Sequence, residues 1–303
     1  SAASDVYKRQ QQGVAKGDFL LLAKAISFIE NGNEGSARFL EELLPSAIPI
    51  IGVTGPPGAG KSTLINALIS TWVEQEKKVA VLSVDPSSPF HQGAILGDRI
   101  RMRDWYLHSG VYIRSLAARG HLGGLNSAML SLTTLMQSVG FDYIIVETVG
   151  VGQSEVEIAS LADTTVVVLV PEAGDEVQMM KSGLMEIANV FVVNKSDRPN
   201  AGTFVHHLQQ MIAENTSPHN RPQVVSTIAT EREGISELLH LIQAHQSGLQ
   251  GGHQKNEMLF TKVMQLIMTH KVNQIDTKKL KLNLEKASSE AHFNIFKFAQ
   301  NFY

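Results

Sequence analysis

Residues 55–62 read Gly-Pro-Pro-Gly-Ala-Gly-Lys-Ser, a G-x-x-x-x-G-K-[ST] pattern. Few short patterns restrict a fold so tightly, because this one works only between a strand and a helix. Both flanks comply. Ile48 to Val53 is an apolar, β-branched run that reads as a buried strand, and Leu64, Ile65, Leu68 and Ile69 recur at helical spacing. Gly55, Gly58 and Gly60 let backbone N–H groups turn towards one anion. The helix that follows aims its N-terminus at the same charge. Lys61 is placed to reach the β- and γ-phosphates of a nucleotide, and the Ser62 hydroxyl to bind Mg²⁺.

Composition narrows the classes. A chain of 303 residues with 43% hydrophobic content can build a core, as one large domain or two small ones. A formal net charge of −3 opposes the basic footprint of a nucleic-acid binder. With no cysteine, disulfides and thiolate metal sites are excluded, while metal ligation by His, Asp or Glu stays possible. No apolar run is long enough to span a bilayer, and the first ten residues lack an apolar signal core. A soluble intracellular protein is expected.

The rest of the chain supplies what such a loop needs. Upstream, Phe19, Leu22, Ile26 and Ile29 mark one face of an amphipathic helix ended by Asn31-Gly32-Asn33. Ala37, Leu40 and Leu44 suggest a second short helix before Pro45, making a helical hairpin packed on the main domain. Downstream, Val79 to Val84 reads as a buried strand ending in Asp85. Ligands of open parallel sheets bind at such ends, and a carboxylate there can hold Mg²⁺ directly or through water. Asp98 is a second Mg²⁺ candidate, in the stretch where a nucleotide-sensing switch would sit. Val111 to Ser115 reads as a short strand, followed by a helix from about 125 to 138.

Tyr143 to Glu147 is an apolar strand ending in a carboxylate, as a Walker B strand does. In Glu147-Thr-Val-Gly150-Val-Gly-Gln153 the spacing lets Glu147 engage Mg²⁺ through water and the Gly150 N–H meet a γ-phosphate. Loss of that phosphate would release the loop. Gln153 can orient an attacking water, although it stands further past the glycine than the Gly-Gln of Ras-type proteins. Asp163 to Val170 is another buried strand, and a helix carrying Met179, Met180, Lys181 and Leu184 follows.

Val190 to Val193 ends in Asn194-Lys195-Ser196-Asp197. Asp197 can accept hydrogen bonds from guanine N1–H and N2–H₂, a donor pair that adenine lacks. Lys195 can lie along the base, and Asn194 can tie its loop to the phosphate loop. GTP is therefore expected over ATP. Val224 to Ile228 is a strand running into a Ser/Thr loop, and Gly234, Ile235, Leu238 and Leu239 open a helix. Gly248 to Gly252 reads as a linker, Met258, Val263, Leu266 and Ile267 as a further helix, and the tail is Lys/Asn-rich. The expected fold is α/β, a P-loop NTPase with a mostly parallel sheet flanked by helices. Residues 46–247 would form the GTPase domain, 1–45 a helical N-terminal extension and 248–303 a C-terminal helical segment.

With these residues in place, the chain resembles the MeaB/ArgK-type branch of the P-loop GTPases, relatives of the metallochaperone GTPases. The matching stretches are Gly55–Thr63, Asp85–Ser88, Gly97–Met102, Arg119–Leu125, Glu147–Glu155, Gly174–Lys181, Gly183–Ala188 and Asn194–Asp197. The resemblance implies a GTP-hydrolysing chaperone of an adenosylcobalamin-dependent acyl-CoA mutase, methylmalonyl-CoA mutase above all. Such a chaperone gates cofactor loading and protects its client, which in turn stimulates hydrolysis. It implies that Gly55, Pro56, Pro57, Gly58, Ala59, Gly60, Lys61, Ser62 and Thr63 hold phosphates and that Ser226, Thr227, Ile228 and Ala229 close over the base. It implies that Ser62, Asp85, Asp98 and Glu147 surround Mg²⁺, and that Gly174 to Lys181 forms a switch facing the mutase. Lys61, Glu147, Gln153 and Lys181 are the implied catalytic group.

Glu172 and Asn189 depart from the family's usual Gly and Asp, and its Arg/Trp-rich dimerisation arm is not recognisable after residue 245. A homodimer remains an expectation, as does a cytoplasmic or, in a eukaryote, mitochondrial-matrix location. Two alternatives share parts of the pattern. A nickel-delivering GTPase would want a His- or Cys-rich tract, and here His206-His207 is the only histidine pair. A transport-linked kinase is opposed by the guanine tetrad.

Overall fold

The apolar runs become strands of one sheet in the computed structural model, which describes residues 18–85, 102–117, 124–148, 154–171, 183–217, 221–249, 253–289 and 293–302. Strand β1 (Ile50–Thr54) leads into helix α3 (Lys61–Glu74). Strands β2 (Val79–Asp85), β3 (Val111–Ala117) and β4 (Tyr143–Thr148) follow, with helix α4 (Gly124–Gln137) before β4. Helix α5 (Ser154–Leu161), strand β5 (Thr164–Leu169), the short helix α6 (Leu184–Ile187) and strand β6 (Val190–Asn194) come next. Helix α7 (Ala201–Asn215), strand β7 (Gln223–Thr227) and helix α8 (Ile235–Leu249) complete the alternation. Helices α5 and α7 had no counterpart in the sequence reading.

Among the described residues the sheet has seven strands in the order β3-β2-β4-β1-β5-β6-β7. Every neighbouring pair runs parallel. All strand C-termini therefore share one edge. Strand β1 lies in the middle, with β4 on one side and β5 on the other, so the loop after β1 opens where later connections diverge. Parallel strands covered on both faces need apolar residues on both. In β1, β5 and β6 every residue is buried.

The two faces carry separate cores. On one, α3 buries Leu64, Leu68 and Trp72 against Val79 and Val81 of β2 and Ile145 of β4. Trp72 stacks on Tyr143, with ring centroids 4.1 Å apart. On the other, Ala80, Leu82, Ile144 and Val146 meet α4, α5 and helix α1 (Phe19–Glu30). Burying each large aliphatic side chain is worth roughly 1.5–3 kcal/mol, so these layers dominate stability.

The amphipathic face of α1 is buried at Leu22, Ala25, Ile26 and Ile29. Asp18 caps it, accepting from the N–H groups of Leu20 and Leu21. Arg114 of β3 pairs with Glu30 at 3.0 Å, and the neighbouring Tyr112 hydroxyl is pushed up to about 12, chiefly by burial. Helix α2 (Ser36–Glu41) corrects the sequence reading: Phe39, 2% exposed, is its anchor, whereas Leu44 is 88% exposed. The helix ends at Glu41, so Leu44 leaves the helical face on which its spacing counted.

Strand β1 begins at Ile50, two residues later than expected, because the Ile48 carbonyl is taken by the Gln137 side chain. Gly248 lies inside α8, which continues to Leu249 rather than yielding to a linker there. Beyond it come α9 (His253–Asn273), α10 (Thr277–Ser288) and α11 (Ile295–Ala299). Lys262 of α9 pairs with Asp163 at 3.3 Å, and Asp163 also accepts from the Ile50 N–H. Asn189 accepts from the Thr165 N–H at 2.7 Å through its side-chain oxygen, a bond that the family's usual Asp could equally make. No helix of the described residues is long and apolar enough to cross a membrane.

Candidate functional site

The phosphate loop is shaped by glycine backbones. Gly55, Gly58 and Gly60 adopt φ of 136°, 80° and 89°. A side chain on Gly55 would run into the Val168 carbonyl, and one on Gly60 into the Asn194 amide. Lys61, only 7% exposed, folds back so that Nζ donates to the carbonyls of Gly55 at 2.7 Å and Pro56 at 3.0 Å. Pro57 and Gly58 are exposed at the tip, and Ala59 is buried beneath them.

A buried oxygen cluster lies at the start of α3. Ser62 Oγ donates to Glu147 Oε1 at 2.9 Å, and Ser83 Oγ donates to Glu147 Oε2 at 3.2 Å. Next to it the Thr148 hydroxyl donates to the Thr54 hydroxyl at 2.8 Å. The strand register makes this meeting possible, because Glu147 faces both Val53 of β1 and Ser83 of β2. Hydroxyl and carboxylate oxygens suit a hard divalent cation. Asp85 ends β2 at the same sheet edge.

The third part is a cleft of about 250 Å³, lined among others by Gly60, Thr63, Asn194, Lys195, Asp197 and Ala229. Lys195 sits at φ 58° and donates from Nζ to the Gly58 carbonyl at 2.8 Å. Asp197 is exposed on the cleft wall. Asn194, 2% exposed, donates to the Ala59 carbonyl and accepts from the Thr227 hydroxyl and the Ala229 N–H. Ile228 also lines the cleft. Ser226 is exposed and outside that lining, because alternation along β7 buries Thr227 instead.

The phosphate loop, Ser62 with Glu147, and the Asn194–Asp197 tetrad with Ile228 and Ala229 are thus brought together. Asp98, Gly150, Gln153, Lys181 and Glu172 lie outside the described residues. Ser83, Arg198 and Thr230 were missed. A lone serine inside the apolar run of β2 was a readable signal, whereas Arg198 and Thr230 carry no local mark of the cleft they line.

The family model described as methylmalonyl-CoA mutase-associated GTPase MeaB matches residues 22–281. A protein of Pyrococcus abyssi is 44% identical over 241 residues, 78% of this chain and 74% of its own length. The GTPase ArgK of Escherichia coli is 37% identical, over 75% of this chain and 72% of its own. The mouse protein named methylmalonic aciduria type A homolog, mitochondrial, is 34% identical, over 76% of this chain and 60% of its own. The fold matches the crystal structure of an LAO/AO transport system kinase with a TM-score of 0.69, at 24% identity, covering 98% of this chain and 96% of that one. A G-x-x-x-x-G-K-S loop after β1, an Asn-Lys-x-Asp tetrad after β6, and a family model covering most of the sequence lead to one assignment: the chain belongs to the MeaB family and is a P-loop GTPase that hydrolyses GTP.

Proposed function

We propose that this GTPase is a chaperone of an adenosylcobalamin-dependent acyl-CoA mutase, methylmalonyl-CoA mutase first, and that it gates cofactor loading and protects the client. The carrying observation is the family match, whose description names that mutase. The relationship to the mouse homolog supports it.

At the site, Asp197 would accept both guanine donors, and the Asn194 network would hold its loop against the phosphate loop. Lys61 would exchange the Gly55 and Pro56 carbonyls for phosphate oxygens, so its positive charge arrives with the substrate. Ser62 and Glu147, joined by Asp85 and Asp98, would hold Mg²⁺. Its chemistry when bound is to neutralise the charge that builds on the β- and γ-phosphates. Gly150 would report the γ-phosphate, Gln153 would orient water, and Lys181 would answer to the bound client. Residues 46–247 would carry all of this.

A second copy of the chain is the proposed partner of α9. Leu259, Phe260, Val263, Leu266, Ile267 and Met268 there are 45–61% exposed, an apolar surface that soluble monomers rarely leave open. Sedimentation should give a dimer that Ile267→Glu dissociates. Among the described residues no group of three His, Asp or Glu that could hold a metal occurs.

The deciding experiment measures GTP hydrolysis with and without purified methylmalonyl-CoA mutase, with ATP as control. GTP-only turnover that rises with the mutase is expected. Turnover indifferent to the mutase would sink the chaperone reading and leave the GTPase intact.

A further inference from the structure

Strand β2 reads Val-Ala-Val-Leu-Ser-Val-Asp. A hydroxyl buried in such a strand costs free energy unless it finds a partner. Alternation sends Val79 and Val81 into the core under α3, and Ala80, Leu82 and Val84 into the opposite core. Ser83 therefore belongs to the α3 face. Strand β4 repeats the pattern, with Ile145 towards α3 and Ile144 and Val146 away from it. Glu147 is thus on the α3 face too, and the parallel register sets Ser83 beside it. Ser83, Glu147 and Ser62 are 5%, 5% and 6% exposed.

We propose that Ser83 is a positioning residue for the cation site, holding one oxygen of Glu147 so that the other faces the Ser62 hydroxyl at the start of α3. This rests on the reading that Glu147 serves that site. The terminal torsion of a glutamate is broad and nearly two-fold. Ser62 holds one oxygen of Glu147 and Ser83 the other. A second donor on the other oxygen fixes the plane before any ligand arrives, which is how partners behind a metal ligand raise affinity. In the described contacts Ser83 bonds to Glu147 and lines no part of the base cleft, so its effect travels through that carboxylate.

The test uses the full chain with GDP carrying a fluorescent methylanthraniloyl group. Mg²⁺ is titrated while nucleotide release is followed, and the Mg²⁺ dependence of GTP turnover is measured in parallel. Ser83→Ala should raise the Mg²⁺ concentration for half-effect about tenfold, the lower end of what such partners contribute. Labelled-GDP affinity in excess chelator should stay the same. Ser83→Cys, similar in volume but a weak donor, should track the alanine variant. In a Glu147→Gln background, Ser83→Ala should add nothing, because the two act as one unit.

An equal shift in that background would mark Ser83 as general packing and overturn the proposal. A shift for Glu147→Gln with none for Ser83→Ala would also overturn it, while sparing Glu147's role. No shift for Glu147→Gln itself would remove the underlying reading of the cation site.

Discussion

Asn194 Nδ2 donates to the carbonyl of Ala59 at 2.9 Å, tying the end of β6 to the phosphate loop across 135 positions of sequence. The same carboxamide oxygen receives the Thr227 hydroxyl at 3.1 Å and the Ala229 N–H at 3.2 Å. One buried side chain thus joins the loop after β1, the Asn194–Asp197 loop and the loop after β7. Asn194→Ala would leave buried donors and acceptors unpaired, at about 1–3 kcal/mol for each. A loss of about 3 kcal/mol or more in urea unfolding is expected, together with weaker GTP binding. Unaltered stability would mean that water replaces the carboxamide.

Gly60 faces that same amide. A methyl group there would press on Asn194 at a φ of 89° that L residues rarely adopt. Gly60→Ala is expected to cost about 1–3 kcal/mol and to weaken GTP binding more than tenfold. Thermal melts with and without GTP check both, and a variant that binds normally would show that the loop can relax.

Asp197→Asn should lower GTP affinity about 10- to 100-fold, the worth of hydrogen bonds to a charged acceptor, and narrow the gap between GTP and ATP. Lys61→Ala should abolish productive binding of either nucleotide. Competition titrations with both nucleotides decide this, and unchanged GTP affinity in both variants contradicts the site.

His245 contacts the Thr164 hydroxyl through Nδ1 at 2.9 Å. Burial lowers its pKa below 6.5, and nearby Asp163 only partly offsets that. The unfolded chain therefore binds a proton at a higher pH than the folded one does. The contribution of this residue is full above 6.5 and shrinks as pH falls towards the lowered folded value. Melting temperature should drop between pH 7.5 and 5.5, and His245→Gln should flatten part of that slope. An identical slope in the variant would assign the effect to other groups.

Much of the site was legible because its chemistry is local. The glycines of 55–60 and the Asn194–Asp197 tetrad declare themselves by residue type and order, since each depends on backbone shape within a few residues. The short helix α2 shows where such reading fails. Leu40 and Leu44 fit a helical period, yet the buried anchor is Phe39, because the helix stops before Leu44. Ser226 was expected beside the base-closing loop; its side chain is exposed, and alternation along β7 buries Thr227.

What the sequence by itself determined is the strand–loop–helix around Gly55–Ser62, the Asn194–Asp197 tetrad at a strand end, and the run of strands between them. These follow from short-range sterics and periodicity, which tertiary contacts seldom override when every flank agrees. Only the tertiary structure decided which distant groups meet. A period of two leaves the facing of a strand open, and no local signal orders strands in a sheet. The placement of β2 beside β4, in one register, brings Ser83 and Ser62 to opposite oxygens of Glu147. The placement of β6 beside β7 lets Asn194 hold three loops at once. Those meetings arise from burying both faces of a parallel sheet, a free energy summed over the whole chain rather than written in any segment of it.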